Sequence, residues 1–396
     1  MLALVKKSWR LLVIAQILLA LLYTLPLFSN QLLIGSDFIS FYTGWSIVRD
    51  REGSRLYDLE LQEAYEARSW GSQGRPFTFR LLPFVNPPHA AVILMPFALL
   101  SYQASANAFL LFNSLIAVWI LFRLWQFSSE WTPHSRLLLV TTILGTEVFW
   151  YGLATRTLTL IVFACLCEYY KALKDGNDKR AAIWLVAATL KPQLIVFPAL
   201  IPLITRRWNL LLLGMTFGLI VAIVPSLLLG AHIWIDYVHV LREVSLHGET
   251  YGALPQSMNN LRMILSWTMP GTNVLPLVYA ALLGGVVILV WLWRKERPFD
   301  LTFSLTALLG LFVAPHLNYH DTLLAFLPAT IIYDRGRIGS RTTTMVIQVL
   351  MMIATFVPPI LIFTGASQVL RRTWPMPCIV FLLYLNTLAL KRKRLE

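Results

Sequence analysis

Between Leu11 and Phe28 hardly a polar side chain interrupts the chain, and apolar runs of this kind recur as far as Leu390. Bilayer hydrocarbon is the solvent that accepts such runs, and a helix crosses it in about 20 residues. The backbone finds hydrogen-bond partners there only within the segment, so the segments must be helical. Composition agrees: 57% of residues are hydrophobic, 13% are charged and mean hydropathy is +0.65. The expectation is an all-α polytopic membrane protein, one integral membrane domain over residues 1–396. The first run follows Lys6, Lys7 and Arg10, is long for a signal peptide and precedes no small-x-small cleavage site, so it reads as a retained span.

Residues 29–88 carry Arg49, Asp50, Arg51, Glu52, Glu60, Glu63, Glu66 and further charges that keep them out of hydrocarbon, and they read as a large first outer loop. Within that loop Asp58–Trp70 reads as a short interfacial helix. Pro87 and Pro88 force an extended entry into Ala90–Leu100. That apolar stretch falls short of the roughly 20 residues a crossing takes, so it reads as re-entrant or interfacial. Further spans read near 105–125, 137–152, 156–171, 181–191, 192–205, 209–229, 272–293, 299–314, 321–333, 343–363 and 376–390, with a second outer loop at 230–271. The total is about 12 transmembrane helices.

If these spans alternate, Lys6/Lys7, Arg123/Arg136, Lys171/Lys174, Arg206/Arg207, Arg294/Lys295 and Lys391–Arg394 share one side. The positive-inside rule makes that side cytoplasmic, with both termini on it. The net charge of +13 therefore reports topology and anionic lipid headgroups, and nucleic acid is not an expected partner. Cys165 and Cys167 point to different faces of a helix, and no metal-ligand spacing occurs, so neither metal nor other cofactor is expected.

The same map gathers scattered polar groups on the outer side. Asp37 follows the first span, and as a carboxylate at a helix boundary it is either an N-cap or a general base for an acceptor hydroxyl. Asp58 reads as the N-cap of the interfacial helix. Lys191, in Lys191-Pro192-Gln193, either snorkels to the interface or faces an anion such as a lipid phosphate. His316, Asn318, Tyr319, His320 and Asp321 crowd one helix end, where His320 can donate to a leaving phosphate and Asp321 can orient it. Gln256, Ser257, Asn259, Asn260 and Arg262 form either a solvated loop or an amide cluster of the kind that reads sugar hydroxyls. A transporter or flippase of lipid-linked or small polar substrates is the rival reading, and a non-catalytic export subunit is another; Glu147 and Glu168 are the rival's only mid-membrane acids, and no internal repeat supports it.

In order, Asp37-Phe38 with Tyr42, Leu56-Tyr57-Asp58, Asn86-Pro87-Pro88, Lys191-Pro192-Gln193, Gln256 to Arg262, and Pro315 to His320 resemble glycosyltransferase family 87. The likeness runs from about residue 35 to 330. It implies a fold of the GT-C superfamily and an inverting transfer of a hexose, mannose by resemblance, from a polyprenyl-phosphate donor to a lipid or glycan acceptor. Catalysis would lie on the outer face of the plasma (inner) membrane. It makes Asp37 the base and Lys191, His320 and Arg156 the donor-phosphate ligands. It also makes Tyr42, Asn86, Gln256, Asn259, Asn260, Arg262, Asn318 and Tyr319 substrate-binding residues. The partners implied are the lipid-linked donor, the acceptor and membrane lipids. One departure stands out: where family members often carry Gly-Gln, this chain reads Gly152 to Thr157 with Arg156 within it.

Overall fold

The structure, a computed structural model, describes residues 2–28, 36–74, 80–252, 254–295, 297–339, 341–364, 367, 373 and 375–392. Gly35, ahead of Asp37, lies outside them. Among the described residues the secondary structure is helical, without strands. In chain order the helices are α1 Leu2–Thr24, α2 Asp37–Arg49, α3 Leu59–Gly71, α4 Pro88–Leu94, α5 Tyr102–Phe127, α6 Pro133–Leu144, α7 Glu147–Ala154, α8 Thr159–Lys174 and α9 Asp178–Ala187. They continue with α10 Val196–Ile204, α11 Trp208–Leu229, α12 Ile233–Leu246, α13 Leu261–Thr268, α14 Leu275–Trp293, α15 Phe299–Val313, α16 Phe326–Gly339, α17 Arg341–Phe363 and α18 Pro375–Arg392.

Among the described residues three helices, α5, α11 and α14, are long and apolar enough to cross a bilayer singly. Along α11, Leu212, Leu219 and Leu227 lie exposed, as lipid-facing residues must. Several other apolar helices are shorter, among them α15 and the 88–99 segment, which ends in a 3-10 turn. The stretch expected as one span over 137–152 is instead a broken one. Gly145 and Thr146 separate α6 from α7, which meet at 48°.

The core divides into two packed regions. The larger gathers α5 to α10 and α14 to α18, and inside it Gln16 of α1 hydrogen-bonds Thr141 and Thr142 of α6, a polar tie of the kind that joins helices in hydrocarbon. The smaller region is built on α2, whose Phe38, Trp45 and Ile47 pack with Phe84, Tyr102 and Phe109. Asp58 caps α3 by accepting from the backbone of Glu60 and Leu61. The extended stretch that follows α3 has no ladder to satisfy it. Side chains do so: Gln62 accepts from Phe84 N, Glu66 from Leu82 N, and Ser40 donates to Pro83 O.

Two predictions follow from this packing. A methyl group on Gly44 would lie 2.6 Å from the Phe84 ring, so Gly44→Ala should lower the unfolding free energy by about 1–3 kcal/mol, measured by thermal unfolding in detergent. Glu66 is buried with one oxygen unpartnered, and burial raises its carboxyl to about 8. The fold therefore favours the protonated acid. Its contribution is complete below the ordinary carboxylate range and declines as pH rises toward 8. Melting temperature should fall across that window, and Glu66→Gln should flatten the fall.

Candidate active site

A chamber of about 260 Å³ opens between α2, the 82–86 stretch and the segment leading from α15 to α16. Its wall includes Asp37, Ser40, Asn86, Lys191, Asn318 and His320. Each arrives there because a helix starts or breaks beside it.

Ser36, not Asp37, holds the N-cap position of α2, and Asp37 is the first helical residue. A carboxylate is favoured there by the helix dipole. Ser40 and Phe41 follow at the spacings that share its face and also line the chamber. Lys191 sits between two 3-10 turns, with φ −140° and ψ 75°, because the proline ring of Pro192 disfavours a helical conformation in the residue before it. Asn86 Nδ2 donates to Leu190 O at 3.1 Å and steadies this break. Pro315 ends α15 in the same way, leaving Ala314 extended, and a 3-10 turn over Tyr319–Ala325 then brings His320 inward. Tyr151 of α7 stacks on the His320 ring.

The charged groups form one cluster. Asp37 Oδ2 lies 3.4 Å from His320 Nε2, and the same nitrogen lies 3.2 Å from Lys191 Nζ and 3.4 Å from Asp321 Oδ1. Lys191 donates to Asp321 at 2.5 Å. Asp37 is open to the chamber, whereas Lys191, His320 and Asp321 are buried. His316, also on the wall, is pushed down to about 4 by burial, with Lys191 adding to the shift, so it is neutral near pH 7. Among the described residues no group of three or more His, Cys, Asp and Glu side chains is arranged to hold a metal ion.

Of the residues expected from sequence, the structure brings Asp37, Asn86, Lys191, Asn318, Tyr319 and His320 to the chamber. Six others go elsewhere. Tyr42 lies across α2 from Asp37, packs on Tyr102 and donates to Leu100 O. Arg156 occupies the residue after the C-cap of α7 with φ 50°, a left-handed conformation usually given to glycine. Its buried guanidinium donates to the carbonyls of Ala154 and Leu27 and joins the end of α7 to the turn after α1. Asn260 Nδ2 donates to Ala314 O, Arg262 to Pro315 O and Ser245 O, and Asn259 N to Leu317 O. These groups therefore clamp the backbone that carries His316 to His320, and with Gln256 they do not line the chamber. Their neighbours Ser257 and Met258 do.

Sequence reasoning missed Ser40, whose spacing from Asp37 was available as a signal. It also missed Thr159 and Tyr151, whose importance comes from a helix break and a ring stack that no local pattern announces. Asn260 both caps α13 and holds Ala314 O. Asn260→Ala should cost about 1–2 kcal/mol. Hydrogen exchange followed by mass spectrometry should show faster exchange across 314–320 and unchanged exchange in α5.

No curated protein and no solved structure gives a significant match to this chain. The profile of glycosyltransferase family 87 matches residues 84–315, which run from the chamber's extended wall through the lysine break to the proline that ends α15. On that match the chain belongs to glycosyltransferase family 87 and is a membrane glycosyltransferase.

Proposed function

We propose that the chamber transfers a hexose, mannose in the reading favoured here, from a polyprenyl-phosphate donor to a hydroxyl of a lipid or glycan acceptor. The observation that carries the reading is the approach of Asp37 to His320, 3.4 Å apart, with Lys191 beside them in a chamber open to solvent. The carboxylate is the exposed member of the cluster and can take a proton from an entering hydroxyl. That oxygen then bonds to the anomeric carbon from the face opposite the phosphate. The carbon–phosphate oxygen bond breaks, its electron pair stays on the phosphate, and the configuration inverts. Lys191 and His320 meet the charge that grows on the leaving group, which is where electrostatic help lowers a barrier. A phosphate monoester leaves without needing a protonating acid, and no nucleotide or metal is required by this scheme.

The apolar tail has a place beside the headgroup. On the other side of the Tyr319–Ala325 turn, Thr322 and Ala325 line an apolar groove with Val148, Leu350, Ala354 and Ile379. The same turn therefore lends polar residues to the chamber and apolar ones to the groove.

Orientation follows from charge. Helix α8 begins at Thr159, which bonds Asp321 beside the chamber, and ends near Glu168, Lys171 and Lys174. Its 16 residues span about 24 Å, close to the thickness of a bilayer core. At the far end Glu168 pairs with Arg123 and Arg180, Lys174 with Asp300, and Arg207 with Asp178. In our reading this basic end faces the cytoplasm with both termini, and the chamber faces outward.

The test is transfer of labelled mannose from synthetic polyprenyl-phosphate mannose to extracted membrane lipids, comparing the parent with Asp37→Asn. The parent should transfer. The variant, melting at the same temperature, should lose at least about 1,000-fold in rate, the scale of a lost general base together with its charge. Equal rates would remove Asp37 from this role.

A further inference from the structure

Asp321 is fully buried and does not line the chamber, yet three separate pieces of the chain converge on it. Its Oδ1 accepts from Lys191 Nζ and from Thr159 Oγ1, each at 2.5 Å, and its Oδ2 accepts from Asn318 N at 3.0 Å. His320 Nε2 lies 3.4 Å from Oδ1. The first turn of α8, the break before Pro192 and the 3-10 turn after Asn318 are thus tied through one carboxylate.

The reaction proposed above needs a base and a cation in one small chamber, and these attract each other. Lys191 has a flexible stem, and His320 Nε2 lies 3.2 Å from its ammonium and 3.4 Å from Asp37 Oδ2. If Lys191 moved onto Asp37, the carboxylate would be held by an ammonium and be a weaker base. The charged and titratable groups around Lys191 are His320 and Asp321 on the turn, His316 on the segment before it and Asp37 at the start of α2. Arg262 also acts electrostatically on His316. Of these, Asp37 and Asp321 carry negative charge, and Asp321 is the one hydrogen-bonded to the Lys191 ammonium. Removing one partner of a buried pair leaves the other charge uncompensated, and it moves to find another.

Resting on the reading of the preceding subsection, we propose that Asp321 is a positioning residue: its buried carboxylate holds the Lys191 ammonium against the chamber wall and away from Asp37, so that base and phosphate ligand coexist. Thr159 supports it by fixing Oδ1. Asp321 touches neither substrate in this arrangement and acts through Lys191 and His320.

The test uses the full chain in lipid nanodiscs. Lysines are acylated briefly with acetic anhydride at pH 8 and quantified by peptide mass spectrometry, with the half-exposed Lys174 as internal reference. In the parent Lys191 should react slowly, being 7% exposed and paired. In Asp321→Asn the ratio of Lys191 to Lys174 labelling should rise severalfold as the ammonium swings into the chamber, and kcat should fall about 100-fold. Asp321→Glu, which keeps the charge, should return the labelling ratio toward the parent value and restore much of the rate. An unchanged ratio in a folded Asp321→Asn protein overturns the proposal, and so does a raised ratio with undiminished transfer. If Asp321→Asn does not fold, Thr159→Val decides. It removes the bond to Oδ1 and the 3.4 Å bond that Lys191 donates to the same hydroxyl while leaving the charge, and an unchanged labelling ratio there overturns the proposal as well. Absence of transfer by the parent with every lipid-phosphate sugar tried would count against the preceding reading, while the labelling ratio would still decide where Asp321 holds Lys191.

Discussion

Moving an ammonium and a carboxylate out of water costs several kcal/mol each, and their attraction repays this only when the remaining lone pairs and protons are satisfied. The Lys191–Asp321 pair meets that condition through Thr159 and the backbone of Asn318. Satisfying it requires α8, the break before Pro192 and the turn after Pro315 to meet at one point, and their meeting forms a wall of the chamber. The ion pair and the architecture at this end of the helices are therefore one requirement seen twice.

Buried backbone outside helices must find its hydrogen-bond partners elsewhere in the protein. The chamber is surrounded by such backbone, and side chains from distant helices satisfy it. Gln62, Glu66 and Ser40 hold the 82–84 stretch, Asn86 holds Leu190, and Asn260 and Arg262 hold Ala314 and Pro315. Arg156 does the same for Ala154 and Leu27. Many of the polar side chains that a membrane sequence displays are in this sense directed at main chain. The few left over at the chamber are those able to meet a substrate.

That division explains what the sequence showed and what it concealed. Helix existence followed from apolar runs, and the prolines at 192 and 315 marked the breaks. Asp37, Lys191 and His320 were legible because an ionisable side chain beside an apolar run needs a reason. The Gln256–Arg262 cluster was read as a sugar site on side-chain chemistry alone. An amide donates equally well to a sugar or a carbonyl, and only the position of Ala314 O decides which. Arg156 suggested an anion by its charge, and its backbone closes α7 in a left-handed conformation with the guanidinium on carbonyls. Tyr42 was named by the pattern Asp37-Phe38 with Tyr42, whereas helical spacing pairs Asp37 with Ser40 and Phe41, and these two line the chamber.

The seven-residue turn Tyr319–Ala325 carries the argument furthest. Its start gives Tyr319 and His320 to a polar chamber, its middle gives Asp321 to the buried pair, and its later residues Thr322 and Ala325 face an apolar groove. In a 3-10 helix successive side chains point in different directions, so a short turn can present different residues to different surroundings. A substrate made of a charged phosphate joined to hydrocarbon poses the same division across a single bond. The turn is built to separate those two environments over a few ångströms, and the helix N-terminus that carries Asp37 faces it from the chamber side alone. Under the function proposed above, chemistry on such a substrate would be confined to the polar half, with Asp37 as base, and the apolar half would be left to binding.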